Sequence, residues 1–308
     1  MILTDEIPLH FNLYQIMNSL LKNTFLAAVL SASTVLAHAQ HVHEPNLNKP
    51  EWSAAYQPFR IAGNLYYVGT YDLASYLITT SKGNILINTG LAASAPMIKA
   101  NIEALGFKLA DTKILLTTQA HFDHMGAMAA VKKMTGAKMM VDAGDSVVLT
   151  DGGKSDYAMG NDTMLYQPVK IDRILHDKDV IKLGDMQLTM LHHPGHTKGS
   201  CSFIFYVKDD QRSYKVLIAN MPTIVTEKSF SAIPAYPQIT SDYAYTLKSM
   251  KSLQFDLWVA SHASQFDLHK KHKPGDAYNP AVFMNRKEYD EQLDYLQKEF
   301  DKKIASGK

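Results

Sequence analysis

Gln119-Ala120-His121-Phe122-Asp123-His124 puts two imidazoles and a carboxylate within four consecutive positions, 121–124. A hydrolytic zinc site needs neutral imidazoles, a carboxylate and one open position for water. On a loop that is still partly extended, alternate residues point the same way, so His121 and Asp123 can face one cavity while His124 enters from the next turn. A single histidine is more often packed or solvated than bound to metal. Here the placement repeats. His196 follows a strand and the turn Pro194-Gly195, and His262 follows the strand Leu257–Ala260. Strand ends that each deliver a histidine point to a convergent metal site.

The elements that must carry these residues follow from periodicity. Leu65–Val68, Ser75–Thr80 and Asn84–Asn88 are rich in β-branched and aromatic residues, with Ser81-Lys82-Gly83 as a turn. Met97–Leu105 has helical spacing and stops at Gly106. Lys113–Thr118 is a short buried-type strand that runs straight into the Gln119–His124 loop. A helix over 126–135, strands at 138–141, 180–183, 187–191, 202–207 and 214–219, a helix over 242–253 and a charged amphipathic helix over 286–303 complete the series. Strands, helices, strands and helices again, with no linker, predict one α/β domain: an αββα sandwich with two mixed sheets inside and helices outside.

Composition sets the outer limits. The 308 residues are 46% hydrophobic and 20% charged, which is globular and excludes disorder. Thirty-one basic residues against 30 acidic ones leave a formal charge of +1, so no field favours nucleic acid. Cys201 is the single cysteine, so an exported chain would have no internal disulfide, and its strand-like neighbours mark it as a small buried residue. From Met17 the sequence carries Lys22, an apolar core from Phe25 to Leu36 and the small-residue pattern Ala37-His38-Ala39. That is a signal-peptide pattern, too short to span a bilayer comfortably. Residues 1–39 are therefore expected to be a signal peptide with an upstream extension, cleaved near Ala39/Gln40. Residues 40–308 are expected to be one exported, periplasmic and monomeric domain with no stable membrane anchor.

The site now supports a family comparison. Gln119-x-His121-x-Asp123-His124 resembles the H-x-H-x-D-H signature of the metallo-β-lactamase superfamily, with glutamine in place of its first histidine. Ile85–Gly90 resembles the superfamily's I-L-I-D-T-G strand, Pro194–Ser200 its P-G-H-T-x-G-S turn, and Ser261-His262 its last ligand. Gly153–Tyr157 through Pro168–Arg173 resembles subclass B3, and glutamine at the first ligand position resembles the GOB-type branch.

The resemblance implies one or two Zn2+ ions: one held by Gln119, His121 and His196, the other by Asp123, His124 and His262. It implies hydrolysis of the β-lactam amide bond by a metal-bound hydroxide that Asp123 orients, which confers resistance to β-lactam antibiotics. An amide is a weaker zinc ligand than imidazole, so the second position is the more secure. Thr223 and Ser200 are implied donors to the substrate carboxylate. Tyr157 is equally a mouth residue or an ordinary loop tyrosine. Asn88 stands where the superfamily often has aspartate, and Asn220-Met221 where relatives carry a bridging aspartate or a cysteine, with Met221 expected to be packing. His192, His193 and His269 are expected to pack or to support ligands, and His41, His43, His176 and His272 to be solvated. Two alternatives remain: another hydrolase of this fold, a thioesterase or lactonase, and a non-catalytic metal-binding protein.

Overall fold

The computed structural model describes residues 42–307; the expected signal peptide lies outside them. A seven-stranded sheet runs in chain order through β1 (Phe59–Ala62), β2 (Leu65–Tyr67), β3 (Tyr76–Thr80), β4 (Gly83–Ile87), β5 (Thr112–Leu116), β6 (Lys138–Asp142) and β7 (Arg173–Leu175). It is antiparallel from β1 to β4 and parallel from β4 to β7. A five-stranded sheet is built from β8 (Val180–Leu183), β9 (Met186–His192), β10 (Cys201–Lys208), β11 (Ser213–Ala219) and β12 (Leu257–Ala260). Only its β11–β12 pair is parallel.

Alternation along the strands explains why these sheets face each other. In β3, β4 and β5, Tyr76, Ile78, Ile85, Ile87, Ile114 and Leu116 join the core shared with the second sheet. Their neighbours Leu77, Leu86 and Leu115 join a second apolar cluster on the opposite face. Period two sends successive side chains to opposite faces, so this sheet is buried on both. The outer cluster is completed by α1 (Ala95–Ala104) and α3 (Met128–Thr135), through Ile98, Ile102, Met128 and Val131. The second sheet is covered by α5 (Ile239–Lys251) and α7 (Arg286–Ala305), whose Tyr243, Leu247, Tyr289, Leu293, Leu296 and Phe300 are buried at helical spacing. Tyr76 Oη donates to Ala260 O at 2.5 Å and ties the two sheets together beside the end of β12.

The predicted elements stand, with bounds shifted by a few residues. Gly106 closes α1 with a φ of 84°, a conformation glycine adopts without penalty. Four elements were not foreseen: β1, β7, the one-and-a-half-turn helix α4 (Ser146–Asp151) and the single turn α6 (Leu268–Lys271). A helix at 126–135 was expected; the chain instead becomes helical earlier, with a single turn α2 (Phe122–Met125) before α3. His272 corrects the expectation of a solvated ring. It is buried, stacked on Phe59 with centroids 3.6 Å apart, and in contact with the Tyr56 hydroxyl.

Candidate metal centre

The chain segments that leave β5, β9, β11 and β12 carry Gln119–His124, His196, Thr223 and His262 in turn. Ends of this kind are where α/β sheets commonly open a ligand crevice. The cleft here encloses about 290 Å³, and its lining includes Trp52, Asp72, His121, Asp123, His196, Thr223 and His262. A larger groove of about 860 Å³ beside the β3–β4 turn is lined without a histidine.

His121 is extended, at φ −81° and ψ 156°, and caps the α2 turn that contains Asp123 and His124. This corrects the picture of an extended loop. Consecutive residues of a helical turn diverge by about 100°, so Asp123 and His124 approach one point from two sides. His262 completes the group, and the donor atoms of Asp123, His124 and His262 all lie within 4.8 Å of one another. Asp123 Oδ2 is 3.2 Å from His124 Nε2 and 3.3 Å from His262 Nε2. Ligand atoms at the corners of a tetrahedron with bonds of ~2.0 Å are about 3.3 Å apart. The spacing fits zinc.

Burial gives a second test of fit. Asp123 Oδ1, both ring nitrogens of His124 and Gln119 Oε1 are buried without a hydrogen-bond partner. Leaving a buried polar atom unpaired costs ~1–3 kcal/mol, and a cation would satisfy a cluster of this kind. His121 and His196 meet with ring centroids 4.8 Å apart. Gln119 and His124 are buried but do not line the cleft.

The charge states favour ligation. Burial works against the Asp123 anion, yet His124 and His262 hold its carboxyl well below the ordinary range. Burial keeps the His124 ring below its usual pKa and pushes His196 down to about 3, with His121 adding to the effect at His196. His262 goes the other way: burial is outweighed by Asp123 and Asp72, and its pKa rises to about 9. A metal must therefore displace a proton from His262 at neutral pH.

Supporting groups fix the rings. Thr223 O accepts from His196 Nδ1 at 2.8 Å, with Thr223 Oγ1 at 3.0 Å from the same nitrogen. Asp72 Oδ2 lies 3.1 Å from His262 Nδ1 and accepts from Trp52 Nε1 at 3.1 Å. Asp145 Oδ2 accepts from Ala120 N and Thr197 Oγ1, and its Oδ1 from Gly199 N, all at 2.8 Å. One buried carboxylate thus joins the Gln119–His124 loop to the His196 turn, and burial pushes its pKa up to about 6. Asp72, Asp145 and Asp156 were all missed as site residues. Single carboxylates in turns carry no period and no spacing that would mark them.

Gly199 is what lets the turn sit on Asp145: a Cβ there would lie 2.2 Å from Asp145 N. Gly199→Ala is expected to cost about 2 kcal/mol, read in thermal unfolding as a fall of roughly 4–8 °C in Tm.

The expected substrate residues fare differently. Thr223 lines the cleft. Ser200 is fully buried, and its hydroxyl accepts from Thr197 N at 2.7 Å and meets Thr197 Oγ1 at 2.8 Å, so it faces the turn and not the cleft. A small hydroxyl beside unpaired turn amides closes the turn first. Tyr157 donates to the carbonyls of Gly195 and His196 at 3.0 and 3.2 Å, bracing the histidine turn. Asn88 Oδ1 accepts from Thr118 N at 2.9 Å, and Asn220 Nδ2 donates to Thr118 O at 3.1 Å, so both brace the β5 exit. Met221 and Cys201 are buried in the core. Leu47 and Lys49, from the N-terminal arm, line the mouth and were not anticipated.

Comparison with known proteins places this geometry. Residues 70–210 match the metallo-beta-lactamase superfamily. The class B3 di-zinc metallo-beta-lactamase LRA-12 from an Alaskan soil metagenome is 68% identical, over 85% of this chain and 99% of that one, with a TM-score of 0.84. The metallo-beta-lactamase GOB-18 from Elizabethkingia meningoseptica is 61% identical, over 87% of this chain and 99% of that one, with a TM-score of 0.86. Among curated proteins, a hydroxyacylglutathione hydrolase of Bradyrhizobium sp. is 26% identical over 44% of each chain. This chain therefore spans less than half the length of that relative. The chain belongs to the metallo-β-lactamase superfamily. Within it, the chain belongs to class B3.

Proposed function

We propose that this protein hydrolyses the amide bond of β-lactam antibiotics with zinc, as a class B3 enzyme of the GOB type. The observation that carries the reading is the class B3 likeness, which extends over nearly the whole length of those enzymes. Asp123, His124 and His262 would hold one zinc, and Gln119, His121 and His196 the other. When bound, zinc supplies Lewis-acid activation of water near neutral pH and of the amide that is opened.

The chain's own groups do the rest. Asp123, kept anionic by His124 and His262, orients the attacking water through its carboxylate. Asp72 and the Thr223 carbonyl hold His262 and His196 with their Nε2 atoms free of those contacts. Thr223 Oγ1 is the donor offered to the substrate carboxylate, and Lys49 adds a cation at the mouth. Trp52 and Met159 give the cleft apolar walls that limit water around the reacting bond.

We also place the mature protein, residues 40–308, in the periplasm as a single domain, on the strength of the signal pattern ending at Ala39. Among the described residues no helix is long and apolar enough to cross a membrane.

The test is steady-state turnover of a penicillin, a carbapenem and a glutathione thioester by zinc-replete protein. Turnover of the thioester alone would move the function to that of the distant hydroxyacylglutathione hydrolases. Absence of turnover on any of them would leave a metal-binding protein. Gln119→His tests the weak amide ligand: imidazole should tighten the first position by roughly tenfold, measured by chelator competition. Equal affinities would contradict the weak-ligand assignment.

A further inference from the structure

We infer that Asp156 is a positioning residue for His121, and that its carboxylate fixes which ring nitrogen His121 offers to a metal. The inference rests on His121 being a ligand, as proposed above.

The two oxygens of Asp156 do separate jobs. Oδ1 accepts from Ala158 N at 2.9 Å and Met159 N at 2.7 Å, folding the turn that carries Met159 to the cleft wall. Oδ2 lies 3.3 Å from His121 Nε2, a charge contact short of a formed hydrogen bond, and that nitrogen has no other partner. Both side chains are almost wholly buried, at 3% and 2% exposure, so water does not screen the pair. An anionic acceptor beside Nε2 keeps the ring proton on that nitrogen and leaves the Nδ1 lone pair for a ligand. The same carboxylate therefore links the shape of the mouth loop to the chemistry of the first metal position. Asp72 holds the ring of His262 in a comparable way, from a different loop and for the second position.

Asp156→Asn separates the two jobs. The amide oxygen can still accept from Ala158 N and Met159 N. Their N–H groups also reject the reverse orientation, which would set donor against donor. The amide NH2 then faces His121 Nε2 and demands a lone pair there, which drives the proton to Nδ1. Cobalt(II) titration, followed by visible absorption, reads the two metal positions directly. Nitrogen-15 shifts of the His121 ring in metal-free protein, at a pH where the ring is neutral, read the tautomer.

Wild type should carry the proton on Nε2. Asp156→Asn should carry it on Nδ1, bind cobalt at the first position about tenfold more weakly, keep the Asp123–His124–His262 position and leave Tm within a few degrees of wild type. An Nδ1-protonated ring in wild type would overturn the inference without any need of the variant. So would unchanged cobalt binding in Asp156→Asn, or equal weakening at both positions. His121→Ala separates this from the underlying reading. If that variant loses one cobalt while Asp156→Asn loses none, only the positioning role fails. If His121→Ala binds cobalt as wild type does, the ligand assignment fails and the inference with it.

Discussion

Asp123→Ala is expected to lower kcat for a chromogenic cephalosporin by on the order of 10³-fold, equivalent to about 4 kcal/mol of barrier. The size follows from how many roles meet on one carboxylate. Its Oδ2 stands at tetrahedral-edge distance from His124 and His262, and its Oδ1 is buried without a partner. Removing it takes away both a zinc ligand and the group that orients water. Zinc content measured with the rates divides these roles. Loss of zinc together with rate places the defect in ligation, and retained zinc with lost rate places it in water orientation. A variant with both rate and zinc near wild type would remove Asp123 from the site.

Asp72→Ala should weaken zinc binding at the Asp123–His124–His262 position by about 10–100-fold, measured by chelator competition at fixed pH. Asp72 lines the cleft and acts on the site through its neighbours. It anchors His262 Nδ1, accepts from Trp52 Nε1, and takes the Ser264 amide at 2.9 Å. Without it the His262 ring loses its orientation, and the buried indole N–H of Trp52 loses its acceptor. The pH dependence has a definite sign. Burial opposes the Asp72 anion, but His262 and Ser264 outweigh it and hold the carboxyl below the ordinary range. A depressed acid contributes stability that is present above the unfolded pKa, about 3.9, and is lost as pH falls through the folded value. The stability gap between wild type and Asp72→Ala should therefore be full at neutral pH and narrow below about pH 4. Circular dichroism during acid titration checks this, and a gap that widens on acidification would contradict it.

Much of the architecture was legible because it is written in short-range pattern. The β-branched and aromatic content of Tyr76–Thr80 and Gly83–Ile87 marks strands, and the helical spacing of Tyr289, Leu293, Leu296 and Phe300 marks an amphipathic helix. The histidines were legible because each follows a strand. What sequence could not supply is what depends on distant partners. Asp145 matters because Ala120 and Gly199, 25 and 54 residues away in the chain, come to its oxygens. His272 looks solvated beside Lys271 and Lys273 until Phe59 is brought against it. Ser200 was a substrate donor only by resemblance to the family, and the fold shows its hydroxyl taken by Thr197.

The most direct test is a zinc titration of the metal-free protein with hydrolysis of a chromogenic cephalosporin followed in parallel. Activity should rise with bound zinc, from a first equivalent at Asp123, His124 and His262, and should vanish on chelation and return with added zinc. Protein shown to hold its zinc that opens no β-lactam ring would contradict the account.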